Sequence, residues 1–278
     1  MTGEDTPDYL QSQFTNDLAK STPGSVTYGL WLDRKGKVAA DSFVFHLADE
    51  EYLLLSYFCP AAEIIAKLES NIIADEVELE DVTEGGVLVL ELNGDTAQLP
   101  AEGRFEPQSP EAADGLRFAG RCAQGACETL WLKEAPAGVA ALAEADPATI
   151  AYLRIAACIP AVPQDIGPGD LPQEGGLEKH AVSFNKGCYL GQEVMARLHA
   201  MGKTTRALCQ VELEKLPDEP LPLAITDAEG KAVGELRSAA AGEGRVLGLA
   251  MFKRRALESG GTFSLSGMSL IIVLKPLA

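Results

Sequence analysis

Residues 179–206, "KHAVSFNKGCYLGQEVMARLHAMGKTTR", hold a cysteine, two of the chain's three histidines and five cations (Lys179, Lys186, Arg197, Lys203 and Arg206) against one acid, Glu193. Cys188 lies two residues from Lys186, beside Gly187 and close to Gly191. A nearby cation favours the thiolate over the thiol, and glycines let the backbone approach a ligand. Nucleophilic attack, redox sensing and transient ligation are all open to such a sulfur, and an inert thiol beside a turn remains the plainer alternative. The segment carries a net charge of +4 in a chain of −18, which leaves −22 for the rest. A positive island of this kind suits an anionic small molecule, whereas DNA or RNA meets repulsion from most of the surface. A solvated basic face would account for the same charges.

The other five cysteines, Cys59, Cys122, Cys127, Cys158 and Cys209, form no C-x-x-C pair and no zinc-type spacing. They read as reduced, buried or incidental thiols, and no metal site is expected. At 278 residues, with 46% hydrophobic and 23% charged residues, the chain has room for two or three globular modules. The start "MTGEDTPDYLQSQ" has acids where a signal peptide needs bases and then an apolar run, and the longest apolar stretch, "MSLIIVL", has strand length. A soluble cytoplasmic protein without membrane spans is expected.

These residues need elements to position them. Tyr9, Leu10, Phe14 and Leu18 fall on one helical face of residues 8–18. Two apolar runs about "DRKGK" predict a hairpin, "EEYLLLSYF" a third strand, and "PAAEIIAKLES" a helix. A second hairpin is expected over 75–94, turning at Gly85 and Gly86, and two more strands in "GLRFAGRCAQGACETLWLKEA". Asp146 and Pro147 open a helix that ends before Pro160. Residues 161–176, rich in proline and glycine, predict a long surface loop with a function of its own. From about residue 203 the pattern becomes short strands with turns at "DAEGK", "AAGEG" and "ESGG", which predicts a small β-barrel or sandwich.

The string "KGCYLGQEV", 186–194, resembles the K-G-C-Y-x-G-Q-E signature of the YgfZ-type folate-binding proteins, relatives of the glycine cleavage aminomethyltransferase (T-protein). Its matching positions are Lys186, Gly187, Cys188, Tyr189, Gly191, Gln192 and Glu193. "LQSQFTNDL", "WLDRKGKVAADSFVF", "LRIAACIP" and the β-rich tail resemble other family segments in the same order. The resemblance implies an α+β fold, an aminomethyltransferase-like ring of ferredoxin-like modules followed by a small C-terminal β-barrel. It divides the chain into a folate-binding region, 1–202, with a second subdomain at roughly 30–105, and a barrel, 203–278. It also implies tetrahydrofolate as cofactor and a role in iron–sulfur cluster assembly or repair, and thereby in tRNA modification. The partners implied are folate and iron–sulfur assembly factors or client enzymes, with no direct nucleic acid, for a monomer. A folate-dependent aminomethyltransferase and a non-catalytic folate-binding regulator are the alternatives.

By similarity, Asp41 in "VAADSFVF" matches the T-protein's catalytic aspartate, and Cys188 is the working residue of the YgfZ branch. Glu128 in "ACETLWL" matches the glutamate that grips the pterin edge, although the hairpin here is shorter. Ser56 and Tyr57 match a strand end that lines the folate ring, and Lys186 joins the cofactor-binding set. Arg154 matches the arginine of R-x-E-x-G-x-P and would hold the glutamate tail as a fork, but Ala156 and Cys158 replace that pattern's acid and glycine. Gln192 and Glu193 brace the cysteine loop in the family. Helical periodicity puts "EVMARLHA" on a helix where the family has a strand, and the expectation follows the family.

Overall fold

The computed structural model describes residues 1–91, 99–108, 115–132, 136–265, 268–272 and 276–277. Three antiparallel sheets organise them. The first has β1 (Ser25–Leu32), β2 (Val38–Ala48) and β3 (Glu51–Leu55) in sequential order. The second runs β4 (Val87–Glu91), β7 (Cys127–Trp131), β6 (Gly115–Ala119), β5 (Phe105–Gln108). The third closes into a barrel in the order β10 (Ala232–Gly242), β11 (Arg245–Lys253), β8 (Arg206–Leu213), β13 (Met268–Ile272), β12 (Phe263–Leu265), β9 (Leu223–Thr226). This is the expected α+β architecture with a C-terminal barrel.

Side chains alternate across a strand, so β2 serves two cores at once. Ala40 and Val44 pack with Tyr9 and Leu10 of α1 (Thr6–Gln13) and with Ile64 and Leu68 of α2 (Ala61–Glu69). Phe43 and Phe45, on the opposite face, pack with Leu116, Phe118 and Leu130 of the second sheet. Both faces being covered, the strand is buried from Ala40 to His46 without a break. The barrel interior is filled by Ala207, Cys209, Val211, Ile225, Leu236 and Phe252. Two short helices, α3 (Ala137–Ala140) and α5 (Glu178–Ala181), stand in sequence on either side of α4 (Pro147–Ala156). Leu208, Leu249 and Met251 point outward from the barrel and meet Tyr152 and Ile155 of α4, which Asp146 caps by accepting from the Ala148 N–H.

Four local expectations are corrected. Residues 192–201 form helix α6 (Gln192–Met201), not a strand: the stretch is rich in helix formers, and Met195 is fully buried. No hairpin turns at Gly85 and Gly86; β4 pairs with β7 instead, Val87 opposite Trp131 and Glu91 opposite Cys127, while Glu78 bridges to Thr2. Positions 92–94 of that predicted hairpin lie outside the described residues. Residues 161–176 are no surface loop, since Val162, Asp165, Ile166, Asp170 and Glu174 are all buried. The first helix ends at Gln13, because Phe14 is extended and bridges to Trp31. Among the described residues no helix is long and apolar enough to cross a membrane.

Candidate functional site

Strand alternation puts Asp41 on the inter-sheet face with Phe43 and Phe45. The carboxylate is 5% exposed. Its Oδ2 accepts from the Tyr28 hydroxyl at 2.8 Å and its Oδ1 from the Ser56 hydroxyl at 2.9 Å. Burial raises its pKa above the usual aspartate value, while the two hydroxyls and the charge of Arg121 act in the opposite direction. The Arg121 guanidinium lies 4.1 Å from the centroid of the Tyr28 ring.

Glu128, on β7, is completely buried. Its Oε1 accepts from the Cys122 N–H at 2.9 Å and its Oε2 from the Tyr57 hydroxyl, which itself accepts from the Arg121 N–H at 3.0 Å. A Cβ on Gly120 would lie 1.9 Å from the Glu128 Cδ, so only glycine lets the carboxylate rest there. Burial raises the pKa of Glu128 and pushes up both the Tyr57 hydroxyl and the Cys122 thiol beside it.

Three consecutive residues after β3 join these groups to a third. Ser56 meets Asp41, Tyr57 meets Glu128, and the Phe58 ring centroid lies 5.7 Å from the Arg154 guanidinium carbon. Arg154 is 3% exposed and donates through Nη1 to Asp165 Oδ2 at 2.5 Å and to the Ile159 carbonyl at 2.7 Å. Asp165 supplies the acid that Ala156 does not. The expectation of an arginine fork open to a glutamate tail is therefore corrected: the guanidinium is buried and committed within the chain. Asp165 also accepts from the Ala161 N–H at 2.8 Å, which ties the 161–176 segment to the end of α4.

Lys186 is corrected too. Its ammonium donates to the carbonyls of Gln11 (2.8 Å), Phe14 (2.7 Å) and Asn16 (2.8 Å), so all three N–H groups are spent inside the chain. Burial lowers its pKa to about 8. Gly191, with φ of +84°, begins α6 pressed on the β1–β2 turn, where a Cβ would fall 2.7 Å from the Asp33 carbonyl oxygen. These contacts pin both ends of the signature loop and leave Cys188 exposed between them; the other five cysteines are buried or half-buried free thiols. Among the described residues no hydrogen bond joins Cys188 directly to the Asp41–Glu128 cluster. Asn16 links them through the chain, accepting from Lys186 while its amide donates to the carbonyls of Tyr28 (2.9 Å) and His180 (3.2 Å).

Two further cations of the positive island are engaged within the chain. Arg206 pairs with Asp170 at 2.9 Å and with Glu174 at 2.7 Å, and Lys179 donates to the Leu277 carbonyl at 2.9 Å. A cavity of about 500 Å³ is lined by Arg121, Cys158, Lys179, His180 and Leu277 among others. Cys188 lines neither this cavity nor a second one of about 420 Å³ on the barrel. No sequence pattern singled out Arg121, Tyr28 or Asp165. Arg121 stands seven residues before Glu128 on the turn of the same hairpin, and that proximity was the one signal available. Among the described residues no group of three His, Cys, Asp or Glu side chains is arranged to hold a metal ion.

The fold is that of the glycine cleavage aminomethyltransferases: the crystal structure of aminomethyltransferase T from Bartonella henselae superposes with a TM-score of 0.79 over 100% of this chain and 82% of that one, at 18% identity. Residues 1–101 match the GCVT N-terminal domain family. A tRNA-modifying protein YgfZ from Vibrio vulnificus (strain CMCP6) is 30% identical over 97% of this chain and 85% of its own length. The chain belongs to the YgfZ family. The human mitochondrial iron-sulfur cluster assembly factor IBA57 is 42% identical over 98 residues, 34% of this chain and 26% of that protein.

Proposed function

We propose that this protein binds tetrahydrofolate between Asp41 and Glu128 and uses the complex, with the exposed Cys188 thiol, in assembling or repairing iron–sulfur clusters, and thereby supports enzymes that modify tRNA. The observation that carries the reading is the pair of buried carboxylates joined through Ser56, Tyr57 and Arg121, in a family whose relatives are named for tRNA modification and, at IBA57, for cluster assembly. A reduced pterin presents N–H donors along one edge and a flat ring. Buried acceptors and the aromatic group of Tyr28, Phe43, Tyr57 and Phe118 suit both. Glu128 already accepts from the Tyr57 hydroxyl, so a pterin edge reaches it by exchanging one donor for another. Asp41 would face the nitrogen that carries the one-carbon unit, and its raised pKa suits it to move a proton there. Tetrahydrofolate would supply a one-carbon carrier. In this reading residues 1–202 hold the folate, 203–278 form the adjoining barrel, and Cys188 meets a partner rather than the pterin.

Titration calorimetry with tetrahydrofolate tests the first half of the proposal. Binding with a Kd of about 1 µM, roughly −8 kcal/mol, is expected. Absence of heat up to millimolar ligand would remove the folate reading. Complementation of a strain lacking its own family member, read as the activity of a tRNA-modifying iron–sulfur enzyme, tests the second half.

A further inference from the structure

Four cations beside the signature loop remain uncommitted. The start of α6 meets the β1–β2 turn closely: a Cβ on Gly191 would lie 3.1 Å from the Gly36 Cα, and one on Gly36 would lie 2.9 Å from the Val194 Cβ. That turn carries Arg34, Lys35 and Lys37, and Asp33 Oδ1 sets its shape by accepting from the N–H groups of Lys35 and Lys37, each at 2.8 Å. Arg197 lies three positions beyond Val194 and so on the same side of α6. Arg34, Lys35 and Arg197 are exposed and Lys37 is half-buried. Among the described residues none of these four side chains makes a hydrogen bond or ion pair within the chain. The turn and the start of α6 hold two acids, Asp33 and Glu193, so four positive charges less two negative leave this face at +2 in a chain of −18. Cys188 stands three residues before Gly191, and three residues of chain span at most about 11 Å. The exposed thiol is therefore about one Debye length, about 10 Å at 0.1 M salt, from the junction of turn and helix.

We propose that Arg34, Lys35, Lys37 and Arg197 form the docking face for an acidic protein, and that this face seats the partner over Cys188. The proposal rests on the reading above that Cys188 meets a partner. Other cations of the signature segment are committed inside the chain, Lys186 to three carbonyls and Arg206 to Asp170 and Glu174. Free cations beside an exposed thiol are left for a partner to neutralise, and charges at the rim of an interface act by speeding encounter and fixing orientation. The rest of the chain favours protein over nucleic acid. A tRNA is a continuous polyanion, and beyond this face it would meet a surface carrying the remaining −20, that is −18 less +2. A folded protein with its acids gathered on one side avoids that repulsion.

The experiment uses two peptides of equal length whose single cysteine, held as a 2-pyridyl disulfide, is flanked by glutamates in one and by lysines in the other. The Cys188 thiolate attacks the peptide sulfur, forms a mixed disulfide and releases pyridine-2-thione, whose absorbance gives the rate. Cys188→Ala supplies the background from the other thiols. The glutamate peptide is expected to react with the wild type about tenfold faster than the lysine peptide, the low end of electrostatic rate enhancement. That ratio should fall toward one in an Arg34→Gln/Lys35→Gln/Arg197→Gln variant, all three changes lying at exposed positions, and with rising salt in the wild type. Equal rates in the wild type, or an undiminished ratio in the variant, overturn the docking face. In the cell, Arg34→Glu/Lys35→Glu/Arg197→Glu should lose complementation while keeping the unfolding midpoint and the tetrahydrofolate affinity of the wild type. Complementation by that variant, where Cys188→Ala fails, overturns the face and leaves the reading of Cys188 standing. Complementation by both overturns both. Binding of tRNA to the wild type that the glutamine variant loses overturns the acidic-protein assignment in favour of nucleic acid.

Discussion

The ammonium of Lys186 donates to the Phe14 carbonyl at 2.7 Å, across 172 residues of sequence, and so fastens the cysteine loop to the end of the first helix. The cation belonging to the signature is a fastener for the loop that presents Cys188. Its three acceptors converge on one point, a geometry that a compact ammonium satisfies and a planar guanidinium does not.

Lys186→Met should therefore destabilise the protein by about 2 kcal/mol, the scale for losing hydrogen bonds to a charged group, and Lys186→Arg should fail to restore it. Urea unfolding of the two variants checks this. An arginine variant as stable as wild type would show that the carbonyl cage tolerates other cations.

Asp41 supplies a test of pH dependence. Its folded pKa is raised by burial above the ordinary value of 3.8, so the folded state holds its proton to a higher pH than the unfolded chain does. Stability from this group is thus lost as pH rises from about that ordinary value through the folded one, and a penalty persists at neutral pH. Asp41→Asn removes the charge, while the Tyr28 and Ser56 hydroxyls can turn to suit an amide. The variant should match or exceed the wild type in unfolding midpoint at pH 7, the difference should vanish near pH 3, and folate binding should weaken at least tenfold.

Tyr57→Phe keeps the ring and removes the hydroxyl that covers Glu128. An under-satisfied buried carboxylate should cost about 1–3 kcal/mol of stability. Tetrahydrofolate should nonetheless bind the variant more tightly, because no donor of the protein then competes for that oxygen. Unfolding curves and calorimetry on one preparation measure both effects, and weaker binding would mean that the hydroxyl contacts the ligand itself.

Asp165→Ala leaves the Arg154 guanidinium, 3% exposed, without its carboxylate. Stranding a buried charge should cost about 3–5 kcal/mol. Denaturant unfolding reads the loss, and a change under 1 kcal/mol would place Arg154 in contact with water.

Cys188→Ala should leave the unfolding midpoint and the tetrahydrofolate affinity within error of wild type, because the side chain is exposed and lines neither cavity. Loss of complementation is expected alongside. Full complementation by the variant would assign Cys188 no chemistry.

Patterns set by near neighbours are legible in the residues themselves. The Asp146 cap, the barrel strands after residue 203 and the short third strand all follow from residue types a few positions apart. The same logic makes α6 legible by its periodicity, and the local helix formers outweigh the strand that the resemblance implies. The hairpin expected at Gly85 and Gly86 failed for another reason: β4 found its partner in Cys127–Trp131, about forty positions on, and no turn signal records such a pairing. The 161–176 segment looked like surface because proline and glycine are common in it, yet Asp165, Asp170 and Glu174 are buried against Arg154, Arg206 and Arg237.

The fold class was legible in the chain alone, because a nine-residue signature and the periods of strands and helices are written in neighbouring positions. Which charges remain for a ligand was settled only by folding. Lys186 and Arg154 were spent on a helix end and a buried aspartate, while Arg121 and Lys179 were left at a cavity. A side chain's hydrogen bonds go to whatever the closed chain brings within about 3 Å, and that cannot be read from the residues beside it.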